Sequence, residues 1–146
     1  MTKKEIVYVE ISFLAHATED QDKVLTAVRN LFYPKHFEEL IITKKKLRGE
    51  YGNPIILYET QLRNEVAEVF LRNIGAALSF LDKESLLRKL ALRLNKGNLY
   101  LRLDKQAALA SKVKFCFSDP IRVRIKFRSS KIEEITEIIR RLGMVP

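Results

Sequence analysis

Residues 5 to 15 place Val7, Val9, Ile11, Phe13 and Ala15 at every second position, and an apolar period of two puts them on one face of a strand. The period then changes to that of a helix. Thr18 with Gln21 three residues later has capping-box form, and Val24, Leu25, Val28, Leu31 and Phe32 make a helical stripe that Pro34 ends. Residues 37 to 47 read as a second strand running into Lys44-Lys45-Lys46-Leu47-Arg48, and after the turn-rich stretch Gly49 to Pro54 a short strand is predicted from Ile55 to Tyr58. A long helical section carries Leu62, Val66, Val69, Phe70, Ala77, Leu78 and Leu81 at helical spacing. Asp82 is placed to cap a second helix with Leu86, Leu87, Leu90 and Leu94 inward and Gly97 as its stop. Strands are predicted at about 98 to 103, 111 to 118 and 120 to 128, with Ser118-Asp119-Pro120 as a tight connection between the last two. Ser130 with Glu133 opens a final amphipathic helix through Ile132, Ile135, Ile138, Ile139 and Leu142, closed by Gly143.

Long helices beside several alternating strands favour a two-layer α+β fold, a mixed or antiparallel sheet with helices packed on one face. With 146 residues and no linker, repeat or low-complexity stretch, residues 1–146 read as a single domain.

The last strand changes the picture. Ile121 to Arg128 alternates four apolar with four cationic side chains, so one face is greasy and the other wholly positive. Like charges side by side repel, and a face of Arg122, Arg124, Lys126 and Arg128 with no acid between them points to an anionic partner. A protected edge strand would carry the same charges. From Arg88 to Arg128 there are twelve Lys and Arg against Asp104 and Asp119, a net of +10 beside +9 for the whole chain. The positive excess is therefore local. If Leu99, Leu101, Leu103, Val113, Phe115, Phe117, Ile121, Val123, Ile125 and Phe127 face the helices, the two-residue period sends Tyr100, Arg102, Lys112, Lys114, Arg122, Arg124, Lys126 and Arg128 to the opposite face. Cations around an aromatic ring suit phosphate contacts and base stacking. Arg102, Lys105 and Gln106, where a strand runs out, are placed to clamp a phosphate and reach a base edge, and Lys44, Lys45, Lys46 and Arg48 form a second basic cluster, a pattern that also fits a solvated charge run.

Candidate chemistry is sparse. There are two histidines and one cysteine, and no spacing of zinc ligands, no Gly-rich phosphate loop and no activated nucleophile stands out, so no cofactor and no metal are expected. Lone Cys116 fits a reducing compartment, and no apolar run approaches the ~20 residues of a membrane span. The expected location is the cytoplasm, with no membrane partner. The one cluster with catalytic potential is His16-Ala17-Thr18-Glu19-Asp20-Gln21-Asp22, whose carboxylates would suit Mg²⁺ in a nuclease but equally offset the positive end of a helix.

Four segments, Ala15 to Asp20, Tyr51-Gly52-Asn53-Pro54-Ile55, Arg102 to Ala107 and Asp119-Pro120-Ile121, resemble an archaeal family described as predicted exosome subunits or RNA-binding domains. Glu50 stands where that pattern has His. The resemblance implies a fold like that of the ribosomal protein that binds five-S RNA, and a link to RNA processing.

These readings converge on a non-enzymatic protein that binds RNA on an open sheet face, with exosome or other RNA-processing proteins as further partners. Two others stay open: an assembly factor docking its positive face on an acidic protein, and the Mg²⁺-dependent nuclease. An exposed edge strand leaves a homodimer open as well.

Overall fold

In a computed structural model of the chain, residues 5–49 and 51–146 are described; Glu50, and with it the departure from the His of the pattern, lies outside the described residues. Along the chain run β1 (Ile6–His16), α1 (Gln21–Arg29), α2 (Pro34–Glu38), β2 (Thr43–Arg48), β3 (Pro54–Leu62), α3 (Asn64–Ala77), α4 (Phe80–Arg88), α5 (Leu90–Arg93), β4 (Leu94–Asn95), β5 (Asn98–Leu103), α6 (Lys105–Leu109), β6 (Ile121–Phe127) and α7 (Ile132–Arg141). The strands form one sheet in the order β2-β3-β1-β6-β5-β4, with every neighbouring pair antiparallel. The domain is two-layered α+β.

Alternation decides which face is covered. Val9, Ile11, Phe13 and Ala15 of β1, Leu99, Leu101 and Leu103 of β5, and Ile121, Val123, Ile125 and Phe127 of β6 are buried. They share one core with Val24 and Val28 of α1, Phe70, Leu71 and Ile74 of α3, Leu86 of α4, Leu90 of α5 and Ile135 and Ile139 of α7. Phe13 stacks on its register partner Tyr58, ring centroids 5.0 Å apart and 10° from parallel. The Tyr58 hydroxyl donates to Gln21 Oε1 at 3.0 Å, which satisfies the polar end of a buried ring.

The structure corrects several element boundaries. Asp20, not Thr18, caps α1, its carboxylate accepting the Asp22 N–H at 2.9 Å. Pro34 begins a helix instead of only ending one, because its fixed φ suits the first helical position. The strand expected at residues 37 to 47 therefore starts at Thr43, β3 runs on to Leu62, and Leu62 belongs to that strand and not to α3. Ser79 rather than Asp82 caps α4. Lys96 (φ 51°) and Gly97 (φ 81°) both lie in the left-handed region, so Gly97 closes a two-residue hairpin between β4 and β5 and does not stop a helix. Lys131, not Ser130, occupies the cap position of α7.

The largest correction concerns residues 111 to 118. No strand forms there. Ser111 and Asp119 take left-handed backbone (φ 60° and 46°), and the chain touches β5 only at an isolated bridge, Leu103 to Phe115. Its two hydrogen bonds, Asp104 N–H to Lys114 O and Cys116 N–H to Arg102 O, pin this loop along the end of β5. Ser118-Asp119-Pro120 thus leads from a loop into β6. Among the described residues no helix is long and apolar enough to cross a membrane.

Candidate nucleic-acid interface

The face of the sheet turned away from the helices is ordered by register. One row runs Gln61, Glu10, Arg124, Tyr100 across β3, β1, β6 and β5; the next runs Thr43, Glu59, Ser12, Arg122, Arg102 from β2 to β5. Arg102 and Arg122 are thus direct cross-strand neighbours. Both are exposed, and among the described residues neither has a carboxylate within ion-pair distance. Beside them, Glu10, Ser12, Tyr100, Arg102, Arg122 and Arg124 line a concavity of about 310 Å³.

Arg124 is held differently. Its guanidinium donates to Glu10 Oε2 at 3.1 Å and to the Tyr8 hydroxyl at 2.9 Å. Desolvation pulls its pKa down, but Glu10, Tyr8 and Tyr100 around it outweigh that and raise it above the ordinary value. The expected acid-free face therefore contains acids: Glu10, which the β1–β6 register sets opposite Arg124, and Glu59 on β3. Lys126 on the same strand donates to Lys96 O at 3.1 Å, tying the β4–β5 hairpin to the face.

Other predicted cations are distributed elsewhere. Lys112 and Lys114 are exposed on the loop beside β5 instead of on a strand, and Arg128 lies past the end of β6, in a groove with Glu5, Glu133, Glu134 and Glu137. In β2 the cluster divides: Lys45 points to the open face, 3.7 Å from Glu59, while Lys44, Lys46 and Arg48 alternate to the other side, Lys44 5.6 Å over the Tyr58 ring. Gln106 lines a cleft between α1 and α6, away from the open face.

Lys105 has partners of its own. Its ammonium, almost buried, sits 2.9 Å from Asp119 Oδ2 and 3.2 Å from Glu19 Oε1 and also bonds Leu14 O. His16 Nε2 meets Asp119 Oδ1 at 3.0 Å, and the His16 backbone N–H donates to Glu19. His16, Glu19 and Asp119 bring one ligand atom each within 4.8 Å of one another, the only such trio among the described residues. The atoms suit a divalent cation, but Lys105 already places a positive charge against both carboxylates. The reading from sequence grouped Glu19 with Asp20 and missed Asp119, which is 103 residues from His16.

A second concavity, of about 490 Å³, adjoins the first and shares Tyr100 and Arg102 with it. Lys89, Leu92, Arg93 and Phe117 also line it. Phe117, expected inward, is 86% exposed, because the loop that carries it has no strand alternation to turn it toward the core.

A family model described as RNA binding matches residues 8–127, from β1 to the end of β6. The chain belongs to this family. The RNA-binding family relatives include RNA-binding protein PAB1135 of Pyrococcus abyssi, 33% identical over 141 residues covering 90% of each chain. Among solved structures, protein AF2318 from Archaeglobus fulgidus superposes with a TM-score of 0.77 at 31% identity, over 94% of this chain and 99% of its own. Protein SSO0741 from Sulfolobus solfataricus gives 0.77 at 27% identity, over 92% and 98%. The span matched by the RNA-binding family model takes in both concavities and all the strands that build the open face.

Proposed function

We propose that this protein is an RNA-binding module that holds the sugar-phosphate backbone on the open face of its sheet and performs no chemistry on it. The observation that carries the reading is the Arg102–Arg122 pair. Two like charges directly opposite each other in an antiparallel sheet destabilise it, and among the described residues no acid forms an ion pair with either. A phosphate between the two guanidiniums would convert that repulsion into two charge-assisted hydrogen bonds. Ser12, next in the row, adds a hydroxyl. Membership of a family described as RNA binding makes RNA the polyanion of choice, and service to exosome or other RNA-processing proteins would follow from holding their substrate. The His16, Glu19 and Asp119 trio, which a Mg²⁺-dependent cleavage could use, has both carboxylates already engaged by Lys105.

The test is the salt dependence of RNA affinity in the double variant R102S/R122S. Each phosphate contact contributes ~0.7 to the slope of log affinity against log salt for a single strand. The variant should lose about 0.7 of that slope, the share of the one phosphate the pair holds, while its melting temperature stays level or rises, since repulsion is relieved. An unchanged slope would remove the sheet face as the binding site.

A further inference from the structure

The concavity between α5, β4, β5 and the 110–120 loop has a composition that the backbone-holding role does not use. Three of its lining side chains, Lys89, Arg93 and Arg102, are cationic, none is acidic, and Leu92 and Phe117 line it with most of their surface in water, 85% and 86% exposed. A single exposed apolar side chain is ordinary. Two in one groove, ringed by unbalanced positive charge, match a ligand that is itself flat and apolar in one part and anionic in another. Arg93 bears on this twice: its guanidinium lies 4.9 Å over the Phe115 ring, which holds it at the groove wall, and burial followed by the nearness of Arg102 pulls its pKa below the ordinary value. A cation that is desolvated and set beside a second cation is one that an anion entering the groove would stabilise. The groove also adjoins the Arg102–Arg122 pair through the shared residues Tyr100 and Arg102, so Arg102 faces both the sheet-face concavity and the groove that Phe117 lines.

We propose that this groove receives one unstacked base of single-stranded RNA, with Phe117 as the stacking platform and Arg93 and Arg102 on the flanking phosphates. The proposal rests on the sheet-face reading above and narrows it from RNA to RNA with an unpaired nucleotide, because a base locked in a duplex cannot offer its face to a side chain. An acidic peptide would satisfy the cations equally but gives the exposed ring no flat partner, which is why the nucleotide is preferred.

The chain contains no tryptophan, so F117W supplies a single emission that a stacked base quenches. The unaltered protein, F117A and F117W are titrated with a single-stranded oligoribonucleotide of mixed sequence and with a blunt-ended RNA duplex. Loss of one base–aromatic stack is expected to weaken single-strand binding by F117A about ten-fold and to leave duplex binding within about two-fold. F117W is expected to restore single-strand affinity, with its emission quenched at saturation. F117A binding the single strand as tightly as the unaltered protein, or equal losses on both RNAs, or an unquenched F117W, overturns the groove assignment. Those outcomes are distinct from failure of the sheet face itself, which shows as an unaltered slope in R102S/R122S. Absence of any RNA binding by the unaltered protein removes both.

Discussion

His16 Nε2 and Asp119 Oδ1, 103 residues apart in sequence, meet at 3.0 Å while the second oxygen of the same carboxylate holds Lys105 at 2.9 Å. One side chain thereby joins the end of β1, the first turn of α6 and the loop that enters β6. Burial pushes the Asp119 carboxyl up, but the hydrogen bonds from Lys105 and His16 and the charge behind them together hold it below its ordinary value. A carboxyl with a depressed folded-state pKa contributes stability above its unfolded pKa and loses it as the pH falls through the folded one. D119N keeps the side-chain shape and tolerates the left-handed backbone at φ 46°, so it isolates the charge. It should cost about 1–2 kcal/mol in urea unfolding at pH 7, from charge-assisted hydrogen bonds lost by the nearly buried ammonium. The difference from the unaltered protein should shrink as the pH falls below the ordinary carboxylate range and the folded carboxylate takes up its proton; a gap that stays constant over that descent would show that the charge is not its source.

Gly75 marks where α3 presses on the end of α7. A Cβ built there would stand 2.6 Å from Leu142 O and 2.8 Å from the Gly143 carbonyl carbon, both backbone atoms that cannot swing aside. Helix propensity alone would favour Ala over Gly by about 1 kcal/mol in a helix interior. Overpacking against backbone costs about 1–3 kcal/mol or more. G75A should therefore melt lower than the unaltered protein despite being the better helix former, with RNA affinity of the folded fraction unchanged because the open face is on the other side of the sheet.

The parts legible in the sequence were those where one period governs one face. β1, β5 and β6 each bury every second residue as their alternation requires, and the open face with Tyr100, Arg102, Arg122 and Arg124 follows from it. Residues 111 to 118 alternate just as well, yet their hydrogen bonds go to the end of β5 at isolated points and left-handed residues bracket them. Periodicity says which side chains could share a face, not whether a partner strand is there to fix it. Lys105 shows the same limit for charge. Read locally it is a cation next to Gln106; in the fold its partners Glu19 and Asp119 lie 86 and 14 residues away. The charge balance of the face likewise depends on Glu10 and Glu59, which register places opposite Arg124 and Ser12.

The edge strand β2 is exposed along its entire length, and Lys44, Lys46 and Arg48 project from the side opposite to the open face. Unpaired strand edges template association, and a row of cations deters a second copy from pairing. Replacing Lys44, Lys46 and Arg48 with Thr should raise self-association, read as a concentration-dependent increase in sedimentation coefficient at physiological salt. RNA affinity should fall less than in R102S/R122S, because the strand order places β2 ~14 Å from β6 and ~19 Å from β5 at the usual inter-strand spacing, with its cations on the opposite face.

Glu10 and Arg124 lie opposite each other on β1 and β6 and close to 3.1 Å, so the acid competes with any phosphate for this guanidinium. Both side chains are half-buried, and an ion pair in that setting is worth little more than about 1 kcal/mol. E10Q removes the charge, leaves an amide that still accepts a hydrogen bond from Arg124, and raises the net charge of the face by one. RNA affinity at low salt should then rise a few-fold, and the slope against log salt should steepen by about 0.7 as Arg124 becomes a further phosphate contact. Stability should drop by no more than about 1 kcal/mol. Combining E10Q with R124S decides the matter: if the gain comes from Arg124, it vanishes in the double variant, whereas a gain that survives there would come from the general field of the face and not from this pair.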